Sequence, residues 1–505
     1  MRRAPYEQAT VGSRLASRGR PKGCDNMLWI ALVLLIFVFQ AATILLLEHR
    51  RPAHAVAWLL ILFAVPLVGF ALYYFLAREY RRRRRARRGG SSDARIRSEL
   101  LRRSRLVEGP EDMGNPEFAE QEKLYRLLRK SGAAPVTGCN RSKVLTNAAS
   151  AYAEMMEAIR GARHHIHFAS YIIRDDETGR TFRQALIAKA RQGVQVRLIY
   201  DGIGSYKLQS AYFKPLEEAG VHFACFFPLR PSIMNKRINY RNHRKILVVD
   251  GFKGFVGGIN VGDEYLGKHP RLGFWRDTHL LLEGDAVYGL QEVFLKDWEL
   301  ATGGKRPFDP VLPQWLPEHQ CAGCERVQIV AGGPDRKADT IHETLFAAIS
   351  SARRRIWLTT PYFIPSPAVA MALKTAALAG LDVRIIIPMI PDTQFVHAAT
   401  LSYMEDMMSA GVRVWQYERG FIHAKVLIVD RLLASVGTAN FDLRSFFSNF
   451  ETNAFLFHPD TIARLEEDFL RDMEDSREMN LTVFRARPRS RKRGEALARM
   501  LAPLL

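Results

Sequence analysis

Hydrophobic positions follow two different rhythms along this chain. From Met27 to Leu47, 21 consecutive residues carry no charge; as a helix the run extends about 31 Å and matches a bilayer core. A polar link, residues 48–54, leads to a second uncharged run from Ala55 to Ala77, in which Pro66 is expected to kink the helix rather than break it. The pattern predicts a transmembrane hairpin with spans 27–47 and 55–77. A cleaved signal peptide is the rival, since Ala53-His54-Ala55 has the small-x-small form, but the first run is too long and the site abuts the second. Helices of a soluble core fit less well, because they seldom lack charge on every face.

After an Arg-rich juxtamembrane linker, residues 78–135, the apolar runs shorten and the same order of elements occurs twice. The first copy runs through Ala158-Ile-Arg-Gly-Ala-Arg163, the apolar stretch His165 to Ile173, a helical stretch ending at Gly193, and Val194 to Tyr200. The second runs through Ala348-Ile-Ser-Ser-Ala-Arg353, Arg355 to Ile364, a helical stretch ending at Gly380, and Leu381 to Pro388. Short β-branched runs between helices of about a dozen residues predict an α/β fold whose sheet is covered on both faces. The offset between copies falls from 190 residues at Ile166 and Ile356 to 180 at His243 and His423, a net insertion of ten in the first. The chain therefore reads as a fused duplication, with halves at 136–315 and 316–482, a basic N-terminus at 1–26 and a basic tail at 483–505.

Charge changes the picture by its location. A net charge of +21 raises the question of nucleic acid. Residues 1–110 hold 21 Lys/Arg against 7 Asp/Glu, and residues 485–499 hold seven basic residues against one acidic, so the long middle is nearly neutral. Basic residues beside apolar segments attract anionic headgroups, each worth about 1 kcal/mol at such a surface; they read equally as solvated, disordered tails. The flanks Arg2 to Lys22 and Arg81 to Arg88 should both stay cytoplasmic. Five scattered cysteines, Cys24, Cys139, Cys225, Cys321 and Cys324, predict no disulfide framework and a reducing compartment. His319, Cys321 and Cys324 lack an obvious fourth zinc ligand and read as a loop with incidental thiols.

The chemistry lies in a repeated His-x-Lys-x4-Asp motif: His243, Lys245 and Asp250, then His423, Lys425 and Asp430. The strand period of two puts His and Lys on one face, where both can touch one phosphate. Ten residues beyond each Asp, in Gly257-Gly-Ile-Asn260 and Gly437-Thr-Ala-Asn440, an Asn amide can donate to a phosphate oxygen. A lone His-x-Lys is more often a surface pair, but two copies with the same followers are not coincidence. Phosphodiester transfer needs cations and donors around the phosphate oxygens, one neutral imidazole to attack, and one protonated imidazole for the leaving alkoxide. No metal or cofactor is required.

These motifs resemble those of the phospholipase D superfamily, which implies two pseudo-symmetric α/β/α sandwich halves. Thr360-Pro-Tyr-Phe, Trp275-Arg-Asp-Thr-His, Gly258-Ile-Asn-Val-Gly-Asp-Glu-Tyr265 and Asn440-Phe-Asp-Leu-Arg-Ser445 are similar to bacterial cardiolipin synthases over roughly residues 140–480. The resemblance implies one composite active site between the halves, Glu451 orienting His243, Asp277 orienting His423, and His243 as nucleophile. Asp250 and Asp430, at the far strand ends, read as structural or catalytic. Tyr171 and Tyr362 at the strand ends, and the cluster His164, His165 and His167, read as structural.

The resulting expectation is a phosphatidyltransferase of a bacterial inner membrane, multi-pass, with its catalytic halves on the cytoplasmic side. Its partners would be phosphatidylglycerol and anionic bilayer headgroups, with no nucleic acid. A hydrolytic phospholipase D, a membrane-tethered nuclease and an inactive scaffold are the alternatives.

Overall fold

The computed structural model describes residues 22–48, 52–76, 91–131, 133–228, 240–304, 312–336 and 338–502. The Arg81 to Arg88 run and most of the basic N-terminus lie outside the described residues.

The chain divides into a unit ending at Ala71 and a unit from Leu72 to Leu505. In the first, Lys22–Leu47 is one helix, and its stretch Trp29–Leu47 is long and apolar enough to cross a bilayer. Trp29, Leu35, Phe39 and Leu46 are exposed on it, a surface that water does not favour. The second apolar run differs from expectation: it forms two helices, Pro52–Ala64 and Pro66–Leu76, divided at Val65. Proline has no N–H for the preceding turn and disfavours the α region for the residue before it. Phe37 and Phe63 pack edge to face at 6.1 Å between the first helix and the second.

The second unit is built on a single mixed sheet of fifteen strands. From one side its order is His222–Phe226, Gln195–Asp201, His165–Ser170, Ile246–Val249, Lys253–Gly257, Thr278–Glu283 and Thr137–Thr146. It continues through Glu325–Gly332, Glu451–Leu456, Leu433–Gly437, Val426–Val429, Arg355–Thr359, Asp382–Pro388, Arg413–Tyr417 and Ser476–Glu478. Read from the middle outward, the two halves follow the same order. They join where Thr137 pairs with Val327 and Asn140 with Glu325. The sequence repeat is thus a half-sheet laid twice, edge to edge.

The motif strands, Ile246–Val249 and Val426–Val429, are buried throughout, and alternation sends their side chains to both faces. Ile246, Val248, Val426 and Ile428 join a core shared by both halves, which includes Val287, Leu290 and Phe294 of the helix Ala286–Thr302. Leu247 and Val249 pack with the helices 147–161 and 177–191, while Leu427 and Val429 pack with 340–350 and 394–409. Each such side chain contributes about 1.5–3 kcal/mol when fully buried, so both motif strands are clamped between two layers.

Two expectations are corrected. Cys139 and Cys321, 182 residues apart, form a disulfide, because the strand Thr137–Thr146 and the approach to Glu325–Gly332 run side by side at the junction of the halves. The basic tail is helical, not a disordered strand of charge: Leu481–Arg485 and Arg489–Leu501 fold back. Ala498 and Ala502 are buried against Ala399 and Ile364, and Arg499 donates to Asp406 at 3.0 Å.

Candidate active site

Each histidine is positioned by backbone from the opposite half. The His243 N–H donates to the Phe450 carbonyl at 2.9 Å, beside a bridge between Asn242 and Phe450. The His423 N–H donates to the Arg276 carbonyl at 2.7 Å, and Gly420–Ile422 pairs in parallel with Phe274–Arg276. That stitching makes the side-chain pairs cross as well. His243 Nδ1 lies 2.9 Å from Glu451 Oε2, and His423 Nδ1 lies 2.7 Å from Asp277 Oδ2.

Both carboxylates are fully buried. Burial alone would raise the Asp277 carboxyl, but His423 and Lys425 outweigh it and hold it below the usual range; His243 and Lys245 do the same for Glu451. An anionic carboxylate accepts a hydrogen bond from Nδ1–H, which fixes the tautomer and leaves each Nε2 lone pair free for chemistry. Burial lowers both imidazoles, to about 4 for His243 and about 3 for His423, against the pull of their carboxylates. The lysines are also lowered by burial, Lys245 to about 7 and Lys425 to about 8, and each acts on the other's half-site. Their ammonium groups donate to the backbone carbonyl of their own histidine, 2.7 Å for Lys245 to His243. Glu451 and Asp277 supply negative charge to both ammoniums, against the burial and the mutual repulsion that lower them.

The motif aspartates stand elsewhere. Asp250 and Asp430 follow the last residue of the motif strand, whereas the histidines precede its first, and both have positive φ, 55° and 52°. The Asp250 carboxylate accepts the N–H groups of Arg163, His164 and His165 at 2.8–2.9 Å; Asp430 accepts those of Arg353, Arg354 and Arg355 over the same range. They latch strand to strand and are not brought to the histidines, which corrects their place in the expected catalytic set.

The asparagines are likewise engaged. Asn260 donates from Nδ2 to the Tyr265 hydroxyl at 3.0 Å and accepts from the Ile172 N–H at 3.1 Å. Asn440 faces Asp442, and its N–H donates to Ser445 Oγ at 3.2 Å. Asn260 is thus tied to the wall of the site, whereas the buried Asn440 Oδ1 has no hydrogen-bond partner among the described residues.

Sequence reasoning passed over two neighbours of Glu451 and gave Tyr171 a structural role alone. Thr438 donates its hydroxyl to Glu451, and Asn449 Nδ2 donates to the same carboxylate at 3.2 Å. The counterpart of Thr438 is Gly258, where an added Cβ would meet Asp277 Oδ1 at 2.0 Å. Gly-Gly in one copy and Gly-Thr in the other was the available signal. The Tyr171 ring packs edge-on against His243, centroids 4.9 Å apart, with Lys245 Nζ 5.3 Å from it. Ser170 and Thr360 make the same hydroxyl-to-carbonyl bond two residues on, so Tyr362 sits one position beyond Tyr171 and bonds Asp392 instead. His167 stacks on Phe294 and contacts Gln291, a core arrangement.

A family profile described as the phospholipase D-like domain of cardiolipin synthase matches residues 155–298 and 345–473, one segment in each half. This chain belongs to the cardiolipin synthase family. It is 43% identical to cardiolipin synthase 2 of Bacillus anthracis over 93% of this chain and 90% of that one. It is 39% identical to the major cardiolipin synthase ClsA of Bacillus subtilis strain 168 over 94% and 98%. The fold is similar to that of phosphatidylserine synthase from Haemophilus influenzae Rd KW20, with a TM-score of 0.58 at 12% identity, covering 82% of this chain and 100% of that one.

Proposed function

We propose that this chain makes cardiolipin by moving a phosphatidyl group from one phosphatidylglycerol to another through a phosphohistidine. The carrying observation is the crossed pairing of His243 with Glu451 and His423 with Asp277, which supports a common site for the two imidazoles. One Nε2 attacks phosphorus, and the bond to the glycerol headgroup breaks. The other imidazole, protonated once the phosphate anion raises its affinity for a proton, delivers that proton to the leaving alkoxide. A second phosphatidylglycerol then enters. The now neutral imidazole takes the proton of its headgroup hydroxyl, the oxygen attacks phosphorus, and the P–N bond breaks. Lys245 and Lys425 offset the charge building on the phosphate oxygens throughout. Family position favours His243 as the nucleophile.

The two apolar runs would anchor the site in a bacterial inner membrane as a hairpin, and basic flanks would draw it to anionic headgroups. Those flanks favour the cytoplasmic side; the Cys139–Cys321 bond pulls the other way, since disulfides persist in oxidising compartments. The nearly neutral middle disfavours nucleic acid. Purified protein given labelled phosphatidylglycerol should yield cardiolipin and glycerol in equal amounts. Phosphatidic acid as sole lipid product would replace this reading with a hydrolase.

A further inference from the structure

The two copies match around phosphorus and part company at the mouth of the site. Extended backbone alternates sides, and Arg244 turns one way, to Asp297, so Arg241, His243 and Lys245 share the other face. Exposure falls along that face: Arg241 is half-buried, His243 is 9% exposed and Lys245 2%. Arg241 is therefore the most exposed of the three; its guanidinium donates to the Tyr240 carbonyl at 3.0 Å and bonds the Tyr171 phenol. Its counterpart two residues before His423 is Phe421, packed against Trp275 with centroids 4.9 Å apart.

A second cation joins it. Arg444, four residues after Asn440, is half-buried and donates to Asn449 Oδ1 at 3.3 Å, while Asn449 itself donates to Glu451. Its counterpart, four residues after Asn260, is Glu264, which is paired with Arg174 at 3.0 Å. Arg241 and Arg444 both act on the Tyr171 phenol, the ring that abuts His243, and on each other. Burial, together with the repulsion from Arg241, lowers Arg444 to about 10. Asp201 acts on both arginines and Asp442 on Arg444, and each carboxylate is shared with backbone: Asp201 with the N–H groups of Asn242, Ile203 and Gly204, Asp442 with that of Ser445. An anion between the two guanidiniums relieves their repulsion, and the planar fork suits a phosphodiester.

We propose that Arg241 and Arg444 form a second anion subsite, present only on the His243 side, that holds the phosphodiester of the acceptor glycerophospholipid. The inference rests on the transfer reaction above. Cardiolipin carries two phosphodiesters joined through one glycerol, so an enzyme that selects this acceptor over water or a simple alcohol needs two anion sites close together. Lys245 and Lys425 supply the first.

The test uses the full chain in mixed micelles of labelled phosphatidylglycerol with 1-butanol as a competing, phosphate-free acceptor. Wild type, Arg241→Gln, Arg444→Gln and the corresponding Arg→Lys variants are compared by the ratio of cardiolipin to phosphatidylbutanol. Each Gln variant should lower that ratio about tenfold, the size of one charge-assisted hydrogen bond, with the Lys variants between. Because both products come from one enzyme sample, misfolding cancels. An unchanged ratio, or loss of both products together in the Gln and Lys variants alike, overturns the proposal. Wild type making phosphatidylbutanol but no cardiolipin would instead remove the transfer reading on which it stands.

Discussion

The His243 side and the His423 side hold the same three groups in the same relation: an imidazole, a lysine two residues on, and a carboxylate donated by the other half. Around the carboxylates they differ. Glu451 is held by the Thr438 hydroxyl and the Asn449 amide; Asp277 takes its own neighbour's N–H, from Thr278 at 2.8 Å, and lies against a bare Gly258. At the positions flanking the histidines they differ more, with half-buried Arg241 and Arg444 on one side and buried Phe421 with Trp275 on the other. Duplication has kept the imidazole, lysine and carboxylate in pairs and let their surroundings diverge. The crossing of carboxylates also explains why neither half is a complete site.

The largest effect that can break this comparison comes from the carboxylates. Glu451→Gln and Asp277→Asn should each lower the rate of cardiolipin formation roughly 10^3-fold, because the amide presents the wrong partner to Nδ1. Near-normal rates in one of them would show that its half-site does not need an oriented imidazole. A smaller effect sharpens the comparison through the lysines. As pH rises through about 7 for Lys245 and about 8 for Lys425, the ammonium loses its proton and the site its charge. The kcat/KM of the free enzyme should therefore fall, about tenfold per unit, above that window. Lys245→Arg, which stays charged, should move the alkaline limb upward more than Lys425→Arg. Equal movement would mean that the two half-sites titrate alike.

Much of this was legible in the sequence where a short period or a repeated spacing carried it. The half-sheets showed as alternating apolar runs, and the paired His-x-Lys motifs showed as an exact repeat of spacing. The partners of His243 and His423 did not, since Glu451 lies 208 residues from His243 and Asp277 lies 146 from His423; only family resemblance supplied them. Asp250 and Asp430 were ambiguous because a carboxylate in the motif looks catalytic until its three backbone donors are seen. Tyr171 was undervalued because ring contact needs the tertiary fold, and Cys139 with Cys321 because a junction between halves has no local signature. The tail misled by composition: Arg485, Arg487 and Arg499 pair with Glu405, Glu495 and Asp406, and Ala498 and Ala502 are buried.

The most direct test of one composite site is a count. Enzyme turning over phosphatidylglycerol labelled in its phosphatidyl portion is quenched in denaturant, and covalent phosphatidyl groups per chain are measured with the labelled residue mapped. The account predicts at most one group per chain, on a motif histidine, absent when that histidine is alanine. Two groups per chain, one on His243 and one on His423, would contradict it and make the halves independent sites.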